Sequence, residues 1–271
     1  MPNYQAITRE RHASQQWQRS ANYAFAATDA VIALVAAEMP QAVMALPMAF
    51  IAQAEAFVPV AVLGLQPGDN LFVAPDGRWT GHYIPAAFRS YPFRLAPTED
   101  GQQVLCIDED SGLVANGPAG ERFFNEDGQP AQVTLDILNF LNQIEQSRPA
   151  TVAACAVLQT HRLIRPWPIT VKTDAGEQAI AGLYQIDEAG LGQLAGDALQ
   201  ELARAGALAV VYCQLLSMQH LPLLGTLAQA RAQAAASLPP PPPAPPTALP
   251  AGDLDLEFLR RGDTISFGNL F

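Results

Sequence analysis

The chain has 271 residues, 49% of them hydrophobic and only 15% charged, with a formal net charge of −11. That length supplies a core for one large domain or two small ones. The acidic balance repels phosphate backbones and anionic lipid surfaces, which excludes nucleic acid and an anionic membrane as expected partners.

In chain order, residues 1–23 read as a polar arm lying on the body, without the apolar core of a secretory signal. Thr28-Asp29 caps an expected short helix through Ala37, and Pro40 stops it. Residues 42–65 are apolar with prolines, as in buried, bent strands; VPVAVLGL (58–65) is the strongest by β-branched content. The apolar stretches 24–37 and 43–65 are broken by Asp29, Glu38, Pro47, Glu55 and Pro59, so neither makes an uninterrupted membrane span. Turn signals at 66–70 and at Pro75-Asp76-Gly77 flank the strand-like LFVA (71–74). Asp76-Gly77 is a hairpin signal leading into RWTGHYIPAAF. QVLCID (103–108) reads as a strand, 108–112 as a loop and 125–128 as a turn.

Apolar residues at 133, 137, 138, 141 and 144 have helical spacing. Pro149 is expected to end that helix, and Thr151 to cap a second one reaching His161. Pro166-Trp167-Pro168 opens a hairpin of ITVKT (169–173) and QAIAGLYQI (178–186). Asp187-Glu188 starts a helix with an apolar face at Leu191, Leu194, Leu199 and Leu202, its carboxylates favourable in the first turn. Residues 207–218 fit a buried strand or a helix, and 225–236 an alanine-rich helix. The fold class is α+β, with a strand-rich N-terminal half built of hairpins and a helix-rich C-terminal half. A proline-rich linker and a peptide tail follow.

The linker is the run PPPPPAPP (239–246), which enters neither a helix nor a central strand and makes an extended spacer. The expected organisation is a globular domain over 1–237, a linker over 238–250 and a docking peptide over 251–271. The peptide carries apolar anchors at Leu254, Leu256, Phe258, Leu259, Ile265 and Phe267. Its LDLEFL segment alternates in the manner of a strand, with Asp253, Asp255 and Glu257 on the opposite face.

Signals for chemistry are sparse. His12, His82, His161 and His220 have no local metal-ligand spacing, no CxxC occurs, and no metal or cofactor is expected. Asp108–Gly112 lacks the closing glutamate of an EF-hand and reads as an acidic turn. Gly190, Gly192 and Gly196 miss the dinucleotide spacing, and there is no GxSxG elbow. Ser217 near His220 is helical proximity, and Arg261-Gly262-Asp263 a turn in the tail. Cys106, Cys155 and Cys213 read as buried reduced thiols. The strongest binding candidate is the interleaved cluster Arg78, Trp79, His82, Tyr83, Arg89, Tyr91 and Arg94. Arginines pair with carboxylates and stack on rings, so such a cluster can make a recognition surface. Trp167, Tyr184, Asp187 and Glu188 form a weaker group, read as a hairpin packed on a helix start.

Several stretches carry a family resemblance: GLQPGDNLFVAPDGRWTGHYIPAAFRSYPFRLA (64–96), QVLCIDEDSGL (103–113), FFNEDGQP (123–130), PWPITV (166–171), GLYQIDEAGL (182–191), GALAVVYCQLLSMQHL (206–221) and ITRERHA (7–13). Over residues 4–232 the chain resembles a bacterial SapC family protein. That resemblance implies an association with surface layers, and neighbours of oxygenase-like or halogenase-like character. It transfers no catalytic residue. The expectation is a non-catalytic, cytoplasmic protein- or peptide-interaction protein whose tail docks in cis or in trans, without membrane insertion. Two alternatives are an enzyme or enzyme subunit modifying peptides with an iron- or flavin-dependent partner, and an envelope component exported by a C-terminal signal.

Overall fold

The computed structural model describes residues 2–98, 100–117, 120–173 and 176–237. Two compact units divide the chain, Met1–Ala232 and Gln233–Phe271. The expected linker and docking peptide, with all the tail anchors, lie outside the described residues.

The chain opens with β1 (Tyr4–Ala6), the helical turn α1 (Arg9–His12) and β2 (Gln15–Trp17). Then come β3 (Val31–Ala33), α2 (Met39–Ala42), β4 (Met48–Gln53) and β5 (Ala56–Val62). The turn α3 (Ala86–Arg89) leads to β6 (Phe93–Pro97), β7 (Gln103–Asp108), β8 (Val114–Asn116) and β9 (Glu121–Arg122). The long helix α4 (Gln132–Thr160) precedes β10 (Ile164–Pro166), β11 (Ile169–Thr173), β12 (Gly176–Ile180) and β13 (Leu183–Ile186). Helices α5 (Glu188–Gly192), α6 (Gly196–Arg204), α7 (Ala207–Ser217) and α8 (Leu221–Ser237) complete the described chain. The α+β reading, with strands first and helices later, therefore holds.

The strands order as β10-β13-β4-β5-β3, β1-β7-β6, β8-β2-β9 and β11-β12. The first sheet carries the larger core: Phe50, Val60 and Leu63 on its strands and following loop meet Leu158 of α4 and Val211 of α7. Trp17, Phe93, Ile107, Phe123 and Leu141 form a second, smaller core beneath the two three-stranded sheets, while Ile169 of the β11-β12 hairpin joins the larger one. Pro59 sits inside β5, between two neighbours. Its missing N–H points toward Leu34, just where β3 has ended, so no ladder bond is lost within that strand; the Pro59 carbonyl still accepts from Leu34 N–H at 2.9 Å.

Several expectations need correction. LFVA (71–74) makes only an isolated bridge at Val73 to Trp79, the helix expected from Asp187 through Leu202 is two, α5 and α6, and QAIAGLYQI divides into β12, paired with β11, and β13, paired with β10 and β4. Residues 28–37 are not a helix; Val31 and Ile32 pair with β5 instead. β-branched side chains and the available partner strand outweigh the Thr28-Asp29 cap. Residues 1–23 are more than an arm, since β1 pairs with β7, β2 pairs with β8 and β9, and His12 and Trp17 are buried. The helices expected on either side of Pro149 are one continuous helix. A proline inside a helix costs about 3 kcal/mol. Here its flanks are held: Ser147 Oγ accepts Ala37 N–H at 3.1 Å and Thr151 Oγ1 accepts Ala36 N–H at 2.8 Å.

Residues 207–218 resolve as helix, and the buried side chains explain why it stays fixed to the sheet. Gln214 accepts Ile186 N–H at 2.9 Å and donates to the Met48 carbonyl at 3.2 Å. Ser217 Oγ accepts Met48 N–H at 2.9 Å. One helical side chain and its neighbour thus close the ends of two strands. The stretch Ala207–Ala234 is long and apolar enough to cross a membrane by length and composition, with a third of that window buried in the fold. Arg231 of α8 donates to Asp69 and to the Asn70 and Val73 carbonyls, tying the helix to the loop after β5. That loop closes tightly at Gly64, where a Cβ would lie 1.7 Å from the Asp69 carbonyl oxygen.

Candidate functional site

A cleft of about 300 Å³ opens between the two cores. One side is β3 and the residues after it, Ile32 to Val35; facing it are Phe93, Arg94 and Leu95 of β6. Ala86, Ala87 and Ser90 form one wall, and Leu141, Ile144, Glu145 and Arg148 of α4 the other. Both strands are the last in their sheets. Antiparallel pairing sends alternate residues' N–H and C=O groups to opposite sides. In β3, residues 30 and 34 bond toward β5, so the N–H and C=O of Ala33 point outward. In β6, Pro92 and Thr98 bond toward β7, so those of Leu95 point outward. The cleft is therefore bounded by two open strand edges.

Its charged groups are few. Glu38, only 5% exposed, stands against the cleft. Its Oε1 accepts Tyr83 O–H at 2.8 Å and Ala86 N–H at 2.5 Å. Burial pushes its pKa up, against the pull of those donors and of Arg89. Tyr83 is also pushed up, by burial first and then by the Glu38 charge. On the helical wall, Arg148 forks onto Glu145 at 2.7 and 2.8 Å, which neutralises both. At the mouth the Arg94 guanidinium lies 3.7 Å from the ring centre of Tyr4.

The sequence-selected cluster divides. Arg94 lines the cleft and Tyr83 holds its carboxylate. Arg89 donates to Tyr83 Oη at 3.3 Å and lies 4.8 Å from the Phe140 ring centre. Together with Tyr91 it lines a neighbouring cavity of about 80 Å³. Tyr91 itself stacks on Phe25 at 3.8 Å. Trp79 packs on Phe72 and gives its indole N–H to the Tyr83 carbonyl at 3.0 Å, a structural placement. Arg78 donates its backbone N–H and its Nε–H to the Asp76 carboxylate within its turn, and His82 is exposed. Glu38, Glu145, Arg148 and Tyr4 belong to the cleft without any local signal in the sequence beyond a lone acid in an apolar stretch.

The remaining chemistry is structural. His161 meets Glu201 at 2.9 Å and His220 meets the Val43 carbonyl at 2.9 Å. Among the described residues no three potential ligands cluster around a metal-sized space. Ser217 is spent on Met48 and the Gln214 carbonyl. Asp108 accepts the Asn3 and Asp110 N–H groups, which makes 108–112 the acidic turn expected. Cys106 and Cys155 are buried, and burial pushes Cys155 to about 12. A larger groove of about 450 Å³ runs past Val31, Ile51, Leu65 and Leu183, and among the described residues its lining holds no charged side chain.

The SapC family model matches residues 7–224. The chain belongs to the SapC family. No curated protein and no solved structure matches it. The SapC match takes in both cores and every lining residue of the cleft except Tyr4. It ends before the proline run.

Proposed function

We propose that this SapC protein is a non-catalytic interaction protein that binds an extended peptide segment of a protein partner. The observation that carries this reading is the cleft between two open strand edges, floored by apolar side chains and marked by Glu38 and Arg94. Main-chain groups on an exposed edge give affinity by strand addition, and alternate side-chain pockets give specificity. The tail beyond the proline run acts as a second docking segment. The systems implied by the family resemblance, at the envelope or in peptide modification with oxygenase- or halogenase-like proteins, are the proposed setting.

The test is affinity capture with the full-length chain and with a chain ending at Ser237, read by mass spectrometry alongside metal and flavin analysis. Partners lost with the tail support the docking role. Identical partner lists with a stoichiometric metal or flavin would instead favour an enzyme subunit.

A further inference from the structure

Trp17 is 2% exposed, and its buried indole N–H has no acceptor among the described residues. Buried donors are almost always satisfied, so an orphan of this kind calls for a physical reason. Trp17 lines the small cavity of about 80 Å³ beside the cleft, together with Arg19, Arg89, Ser90 and Tyr91. Ser90 and Phe93 line both spaces, so the cavity continues the wall of the cleft. We propose that this cavity is a carboxylate subsite, which takes an acidic side chain or the C-terminal carboxylate of the partner peptide held in the cleft. The proposal rests on the reading of the cleft as a peptide site and names the chemical group that the partner presents beside it.

Two segments build the subsite. Gln18 N–H bonds the Leu113 carbonyl at 2.9 Å, which carries the β2 ladder one residue further. Side chains alternate along an extended chain, so Trp17 and Arg19 share a face. Arg89 is the last residue of α3 and Ser90 caps it. The lining therefore holds two guanidinium groups and an indole donor, and among the described residues it holds no acid.

Both arginines are open to a new acceptor. Arg19 is exposed and has no carboxylate or carbonyl partner among the described residues. Arg89 meets the neutral Tyr83 hydroxyl at 3.3 Å and the faces of the Tyr83 and Phe140 rings. Glu38, whose charge reaches Arg89, is spent on Tyr83 and on the Ala86 amide. Asp108, whose charge reaches Tyr91, is spent on the Asn3 and Asp110 amides. Like charges lining one small cavity repel until an anion lies between them. A carboxylate accepts two parallel N–H groups from a guanidinium, and an indole supplies one more donor. A doubly charged phosphate suits the place less, because the chain carries a net charge of −11 and the cavity is far below the size of an ordinary ligand pocket.

Nuclear magnetic resonance on the full-length chain tests this, with acetate and its neutral counterpart acetamide as probes. Acetate is expected to shift the Trp17 indole N–H and the backbone amides of Arg19 and Ser90, and acetamide to leave them in place. Arg19→Gln should weaken acetate binding at least tenfold with an unchanged thermal melt, since Arg19 makes no bond that the fold uses. N-acetylglycine binding more tightly than blocked N-acetylglutamate methylamide assigns the subsite to a C-terminal carboxylate, and the reverse order assigns it to an acidic side chain. Equal responses to acetate and acetamide, unchanged acetate affinity in Arg19→Gln, or a tenfold preference for inorganic phosphate each overturn the proposal. These probes do not span the cleft, so their binding is read independently of partner capture with a blocked cleft, and the two failures are distinguishable.

Discussion

Tyr83 donates its hydroxyl hydrogen to Glu38 across 2.8 Å, linking the aromatic segment before α3 to the turn that follows β3. The pair is tied to the cleft wall, because Glu38 also accepts the first amide of α3. Removing the hydroxyl leaves a buried carboxylate with one donor fewer. A buried polar group stripped of a partner costs about 1–3 kcal/mol. Tyr83→Phe should therefore lower Tm by roughly 2–10 °C for a body of this size. Thermal melts of single and double variants with Glu38→Gln check it, with strongly non-additive losses expected.

The pH dependence of that site has a definite sign. Glu38 holds its proton more tightly folded than unfolded, because burial raises its pKa above the ordinary 4.5. Its contribution to stability is thus fully present below about 4.5 and is lost as pH rises through the raised folded value. His12, lowered from 6.5 by burial, pulls the other way. The clean comparison is between wild type and Glu38→Gln by denaturant melts. Wild type should gain relative to the variant as pH falls from 7 toward 4.5.

Gln214 closes two strand ends from inside the core. Gln214→Leu would orphan both the Ile186 amide and the Met48 carbonyl. At about 1–3 kcal/mol for each unsatisfied group, a loss of roughly 2–6 kcal/mol is expected. Urea unfolding measures it; a loss under about 1 kcal/mol would mean that other groups take over both bonds.

Arg94 should separate binding from stability. It is exposed and lies over the face of Tyr4. Such a contact contributes about 0.5–1 kcal/mol at an exposed site. Arg94→Ala is expected to move Tm by no more than about 4 °C while weakening partner binding tenfold or more. A loss of stability with binding intact would make Arg94 a structural residue.

Cys155 should be silent toward thiol reagents. Its pKa of about 12 leaves roughly one thiolate in ten thousand at pH 8. Native protein should react there only after denaturation, with the half-buried Cys213 reacting earlier.

What the sequence showed depended on range. The helix face at 133–144 and the strands at 58–65, 103–108 and 169–173 were legible because their periodicity is local. Thr28-Asp29 misled because pairing of Val31 and Ile32 with β5 is decided some thirty residues away. Pro149 misled because its compensation comes from Ala36 and Ala37, more than a hundred residues distant. In the site, Tyr83, Arg89 and Arg94 were visible as an aromatic–arginine cluster. Glu38 and Arg148 were not, since only the packing of the two cores brings them to one cleft.

The most direct measurement concerns Ala87, a small, exposed residue on the cleft wall. Full-length wild type and Ala87→Trp would be compared as bait for partner capture, at matched thermal stability. A filled cleft should reduce capture of the specific partner at least tenfold. Equal capture by the two proteins would contradict the cleft as the binding site.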